Sequence, residues 1–197
     1  MAEKEILDNK EYVVECLKKT GREGIEDLIA YMDEIGFFNA PCSGGNHLCC
    51  EFGLVTHTRH VMEIAEKMAV CLIGGKNITP EFRNSVIIAA ALHDLGKCGD
   101  FGKANYVPNI LKGGKPSEAK PYKTNPDLLY IDHEIRSVKI AAMFIDLTEE
   151  EEFAILYHNG LYGPLKYSLQ GKETPLYMII HWADMWATKV IETKKGD

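Results

Sequence analysis

The segment Ile87-Ile88-Ala89-Ala90-Ala91-Leu92-His93-Asp94-Leu95-Gly96-Lys97 constrains this chain more than any other stretch. A solidly apolar run belongs in a core, and this one ends in an imidazole beside a carboxylate. An unpartnered buried charge costs on the order of several kcal/mol, so such a carboxylate must be protonated, paired or bound to a metal. Consecutive residues in mid-helix point about 100° apart. His93 and Asp94 can therefore share one ion only at the edge of a helix or at its end, and Gly96 two residues later fits a helix end.

Apolar spacings of three and four dominate the rest of the chain, and strand-like alternation is scarce, which gives an all-α helical bundle. Residues 6–19 and 24–36 read as amphipathic helices, followed by a Gly-, Cys- and Asn-rich loop over 37–52. In the next helix Val61, Ile64, Ala65, Met68 and Leu72 form one apolar stripe. His57 lies on it four residues before Val61, and the helix ends near Gly74-Gly75. Thr79-Pro80 fits an N-cap with proline in the first turn, opening the helix that carries His93. Residues 98–132 are rich in Gly and Pro and read as a flap over the site, with room for a short hairpin. A helix from His133 through Ile145 follows. Thr148-Glu149-Glu150-Glu151 is a capping box opening a helix that stops at Asn159-Gly160, just after His158. Thr174-Pro175 caps a last helix bearing His181 and Asp184, with Leu176, Ile179, Ile180 and Ala183 as its apolar set. Trp182 and Trp186, four apart, are expected to pack in the core.

The whole chain, 1–197, reads as one domain, with the N-terminal helices and loop in 1–45 and the chemistry-bearing residues in 46–190. The net charge of −7 argues against a protein that coats nucleic acid. Between Lys97 and Lys123, however, six lysines stand against Asp100 and Glu118. That local excess suits an anionic substrate, or equally a loop kept solvated by lysine. No apolar stretch approaches the roughly 20 residues needed to span a bilayer. The first residues lack the pattern of a signal peptide, and the six cysteines form no paired framework. A reducing cytoplasm is the expected location. Cys42, His47, Cys49 and Cys50 offer zinc-binding groups, but their spacing matches no familiar knuckle, and incidental thiols in a loop are the better reading.

His57, His93, Asp94 and Asp184 all fall at helical positions with apolar surroundings. Imidazole and carboxylate together suit borderline divalent ions such as Mn, Fe, Co, Ni or Zn. With these residues in view, the chain resembles the HD family of metal-dependent phosphohydrolases. Gly53-Leu54-Val55-Thr56-His57, Ala91-Leu92-His93-Asp94-Leu95-Gly96-Lys97 and Ala183-Asp184 carry the resemblance, in the family's order and spacing, over roughly residues 46–190. It implies an HD-domain bundle in which His57, His93, Asp94 and Asp184 bind one metal and Lys97 faces the substrate phosphate. It implies a second ion as well. Asp132-His133-Glu134 and Tyr157-His158-Asn159-Gly160 match the histidines of binuclear members, with Asp94 bridging one or two ions drawn from Mn, Fe, Mg, Co, Ni and Zn. Small bacterial HD hydrolases and the HD domain of a 3′–5′ exoribonuclease group are similar in carrying an Asn-His pair ahead of the first ligand, here Asn46-His47. The exoribonucleases also have an oligonucleotide-binding domain that these residues do not include. The family's usual double glycine before the first ligand is reduced here to Phe52-Gly53.

The resemblance implies hydrolysis of a phosphate ester or phosphoanhydride by a metal-activated water, with Asp94 and Lys97 as the catalytic pair. The substrate would be a small phosphorylated molecule, in first place a nucleotide, with a short nucleic-acid end as an option and no membrane partner. Two other readings stand beside it: a mixed-valent diiron oxygenase on the same scaffold, and a nucleotide-binding module without turnover. Arg136, one turn past His133, suits bidentate phosphate binding or a surface salt bridge. His47 lies near the first ligand and suits a contact with a phosphate oxygen or a plain loop position. His60 reads as a packed or ligand-supporting histidine, and His181 as a residue that orients Asp184 or fills the core.

Overall fold

The computed structural model describes residues 3–193 and consists mostly of helix. Eight α-helices run in chain order: α1 (Glu3–Lys19), α2 (Ile25–Glu34), α3 (Gly53–Ala69), α4 (Pro80–Leu92), α5 (His133–Ala141), α6 (Glu149–Tyr157), α7 (Lys166–Leu169) and α8 (Pro175–Trp186). α3 lies at the centre, packed against α4, α8 and α1, while α6 packs on α8 and α4. The core is built from the stripes these helices turn inward, among them Leu54, Val61 and Ala65 of α3, Ile88 and Leu92 of α4, and Ile179, Ile180 and Ala183 of α8. Among the described residues no helix is long and apolar enough to cross a membrane.

Local chemistry sets the helix starts. The Thr79 hydroxyl accepts from the Phe82 amide with Pro80 in the first turn, and Thr174 accepts from Tyr177 ahead of Pro175 in the same way. Thr148 and Glu151 form the reciprocal capping box that opens α6. Glu151 does more than cap. Its buried carboxylate also takes both guanidinium nitrogens of Arg22, at 3.0 and 2.7 Å, and the hydroxyl of Ser85 at 2.7 Å. It thereby ties the turn after α1, α4 and α6 together.

Several expectations from the sequence need correction. The stripe of α3 does not extend to Leu72, which is 57% exposed. The helix widens into a π-turn over Val70–Gly74, and the extra residue per turn rotates Leu72 off the buried face. The helix from His133 closes at Ala141, four residues early, because Met143 and Phe144 bond back to the carbonyls of Ile140 and Ala141 in a tighter turn. Trp182 and Trp186 are half-exposed and not core. The stripe that α8 buries runs through Leu176, Ile179, Ile180, Ala183 and Ala187. Each tryptophan sits one residue, about 100°, to the side of an alanine in that stripe. The segment 98–132 holds two antiparallel hairpins, β1 (Gly99–Asp100) with β2 (Lys103–Ala104) and β3 (Tyr106–Pro108) with β4 (Tyr122–Thr124).

Two glycines set close approaches around the future site. After α4 the chain turns through a 3-10 segment, Leu95–Cys98, against the start of α5. A Cβ on Gly96 would lie 2.2 Å from the His133 carbonyl oxygen, so only glycine lets the two backbones meet. Gly160, just after α6, has φ +54° and carries the His181 ring where its side chain would be.

Candidate metal centre

Five helices and one turn deliver six side chains to a common point. His57 lies one turn into α3, His93 caps α4, Asp94 follows it in the turn, His133 opens α5, His158 caps α6 and Asp184 lies near the end of α8. His93 and Asp94 do sit at a helix end, with Asp94 at φ −104°, ψ 10°, which removes the 100° divergence of mid-helix neighbours. Asp94 is the hinge of the arrangement. Its Oδ2 lies 3.4 Å from the Nε2 atoms of both His57 and His93. Its Oδ1 lies 3.2 Å from His133 Nε2 and 3.4 Å from His158 Nε2. Asp184 Oδ1 stands 3.2 Å from His57 Nε2, and the Nε2 atoms of His57 and His93 are 3.3 Å apart.

The rings are held from behind. His93 Nδ1 donates to the Ala90 carbonyl and His158 Nδ1 to the Ile155 carbonyl, each at 2.8 Å, one turn back in its own helix. His57 Nδ1 lies 3.0 Å from both oxygens of Glu192, which as a carboxylate can only accept. His133 Nδ1 stands 3.2 Å from Glu134 Oε2, and Glu134 in turn accepts from Asn159 at 2.6 Å. With Nδ1 engaged in each case, it is Nε2 that all four imidazoles present to Asp94.

This donor set fits divalent ions. His57, His93 and Asp184 offer atoms within 4.8 Å of one another, and so do His93, Asp94 and His158. Asp94 Oδ1 is fully buried with no hydrogen-bond partner among the described residues, which leaves a lone pair facing two imidazoles and nothing to satisfy it. Burial raises the pKa of the Asp94 carboxyl, but Lys97 and His93, then His133 and His158, outweigh it and hold Asp94 ionised well below the usual carboxylate range. The group is thus both charged and underbonded.

Lys97 Nζ lies 2.6 Å from Asp94 Oδ2, and the lysine lines a cavity of about 970 Å³ together with His47, Asn159, Tyr162, Asp184 and Glu192. Burial lowers the Lys97 pKa, yet Asp94 beside it holds the ammonium charged well above its ordinary value. Glu118, Ala119 and Pro121 from the 98–132 segment close part of the same cavity. His47 is in the cavity wall, 3.3 Å from Cys42 Sγ and 3.6 Å from Glu192, and burial pushes its pKa down to about 4. It is therefore a neutral imidazole near pH 7.

Arg136 is elsewhere. It is buried, bonded to Asn105 Oδ1 at 3.4 Å and the Leu129 carbonyl at 3.1 Å, and so anchors the flap segment from beneath instead of lining the cavity. Its burial is not that of a surface salt bridge. The four groups Cys42, His47, Cys49 and Cys50 form no common cluster among the described residues. Cys42 groups instead with His47 and His57, and burial pushes its thiol up to about 11. His60 donates to Glu192 at 2.9 Å, and His181 donates to the His158 carbonyl at 2.7 Å while stacking on Tyr177. His181 thus holds the end of α6, with no hydrogen bond to Asp184 among the described residues. Two residues of the site escaped the sequence reading: Glu192 and Glu134. Only the placement of Glu134 next to His133 could have signalled it.

No curated protein and no solved structure matched the chain. The HD domain family model matches residues 54–185, a span that begins three residues before His57 and ends one residue after Asp184. The chain therefore belongs to the HD-domain family of metal-dependent phosphohydrolases.

Proposed function

We propose that this protein hydrolyses a phosphate ester or phosphoanhydride of a small molecule, in first place a nucleotide, at a two-metal centre held by His57, His93, Asp94, His133, His158 and Asp184. The observation that carries this reading is Asp94, whose two oxygens each face a different pair of imidazoles at 3.2–3.4 Å. Two sets of donors meeting at one carboxylate are the arrangement a dinuclear site would need. Divalent ions held there would supply Lewis acidity toward water and a phosphoryl oxygen.

The chain's own groups do the rest. Lys97 stays protonated beside Asp94, opens on the cavity and offsets negative charge as it accumulates on the phosphate. His47, neutral in the cavity wall, donates its ring N–H to a phosphate oxygen without adding charge. Glu134 and Glu192 hold their histidines against rotation. The cavity lies at the upper end of the size range of small-molecule pockets, which supports a substrate of nucleotide size or a short nucleic-acid end. A cytoplasmic setting matches the free thiols.

Protein purified without a metal-chelating tag and analysed for bound elements is expected to carry up to two transition-metal ions per chain. A panel of phosphomonoesters and phosphodiesters should then yield metal-dependent phosphate release under nitrogen. An iron-dependent, oxygen-consuming reaction with no such release would replace the hydrolase by an oxygenase. Ligand-induced stabilisation with no product would replace it by a binding module.

A further inference from the structure

We infer that Glu192 is a positioning residue of the metal centre, holding the His57 ring so that Nε2 faces Asp94 and Asp184, and that the π-turn after α8 exists to deliver it. The inference rests on the proposed metal-binding role of His57 and extends the site past residue 185, where the family match ends. α8 closes at Trp186 and continues as a π-turn over Ala187–Ile191. That widened turn points two side chains back at the centre. Thr188 donates to Asp184 Oδ1 at 3.3 Å, and Glu192, next in the chain, brings its carboxylate to within 3.0 Å of His57 Nδ1.

Three features separate Glu192 from an ordinary acid in a polar C-terminal stretch. Its side chain is 1% exposed, a rare state for a glutamate unless it is paired. It meets three histidines at once, His57 at 3.0 Å, His60 at 2.9 Å and His47 at 3.6 Å, and among the described residues no lysine or arginine. Both of its carboxylate oxygens lie 3.0 Å from His57 Nδ1, and a carboxylate oxygen can only accept. A carboxylate behind a ligating imidazole fixes its tautomer and raises its basicity. Glu192 is suited to do so for His57.

The test is metal binding by the full chain, read by calorimetry and by the visible spectrum of the cobalt(II)-loaded protein, for wild type, Glu192→Ala and Glu192→Gln. Each is also made in a His133→Ala background that isolates the His57 side. Glu192→Ala is expected to weaken binding on the His57 side by roughly 10–100-fold and to change the cobalt spectrum there, with the other side unaffected. Glu192→Gln, whose amide oxygen still accepts from Nδ1, should recover part of the loss. If Glu192→Ala fails to fold, Glu192→Gln carries the test alone through its intermediate affinity. Wild-type affinity and spectrum in the variants, or an equal loss on both sides, overturns the positioning role. A wild-type chain that binds no ion overturns the metal reading itself and this inference with it.

Discussion

Deleting the Asp94 carboxylate tests the shared-ligand geometry most directly. Asp94→Ala removes both oxygens, and each faces a separate pair of imidazoles. Both metal positions must therefore weaken together, whereas the loss of any single histidine should weaken mainly one. At a metal concentration about 1,000 times the dissociation constant, one site stabilises the fold by about 4.1 kcal/mol. For a chain of this length 1 kcal/mol corresponds to about 2–4 °C in melting temperature, so the gain is about 8–16 °C per site. A 100-fold weaker site at the same concentration sits at about ten times its dissociation constant. It then contributes about 1.4 kcal/mol, or about 3–6 °C. The assay is differential scanning fluorimetry of each protein with and without manganese or cobalt. Comparing each variant with its own metal-free form cancels the separate cost of leaving Lys97 without its partner. Phosphate release should vanish as well. An Asp94→Ala protein that keeps the wild-type metal-induced shift would refute the bridging role and the mechanism built on it.

Three further outcomes follow from the same structure. Lys97→Met should retain the metal content of the wild type while lowering turnover about 100-fold or more, since the ammonium stabilises charge on the substrate and does not ligate; equal turnover would remove Lys97 from catalysis. Gly160→Ala forces a side chain at φ +54° into the His181 ring, with a Cβ only 2.5 Å from Cε1, and should cost about 2–4 kcal/mol in urea unfolding. An unchanged midpoint would show that His181 moves freely. For Glu151, burial raises the pKa, but Arg22, the Thr148 amide and Ser85 lower it below the usual 4.5 overall. Its contribution is therefore present above about pH 4.5 and is lost as pH falls through the folded value. Glu151→Gln should cost about 2 kcal/mol near neutrality, with the gap to wild type closing toward pH 3 in acid titrations of stability; a constant gap would contradict it.

What the sequence disclosed, and what it hid, divides along physical lines. Helix starts were readable because capping is local: Thr79-Pro80, Thr174-Pro175 and Thr148 with Glu151 act within three residues of themselves, and each caps the helix expected of it. His57, His93, Asp94 and Asp184 were readable for a related reason: a charged or imidazole group at an apolar helical position has few tolerable explanations. His133 and His158, at a helix start and a helix end, came into view only through the family resemblance. Faces decided by a neighbour were not readable. Leu72 and the two tryptophans keep helical spacing in the sequence, but a π-turn rotates the first and the alanine stripe of α8 sets the others aside. Arg136 shows the same blindness from the other side. Its place one turn past His133 says nothing about the flap carbonyl of Leu129, which accepts from its guanidinium at 3.1 Å and keeps it out of the cavity wall.

Glu192 is the sharpest case, because it lies in Ile191-Glu192-Thr193-Lys194-Lys195, a stretch with the composition of a solvated helix end. At 3.6 residues per turn α8 would run on past Trp186 with Glu192 on whatever face that period assigns. One additional residue per turn over 187–191 aims its carboxylate at His57, His60 and His47 instead. Metal ligands are constrained by the ion and recur with a recognisable order and spacing. The carboxylate that supports a ligand needs only to arrive behind Nδ1, and any turn that reaches that point will do. Such a residue leaves no spacing to read. It becomes visible in the fold, as a covered carboxylate whose partners among the described residues are all histidines.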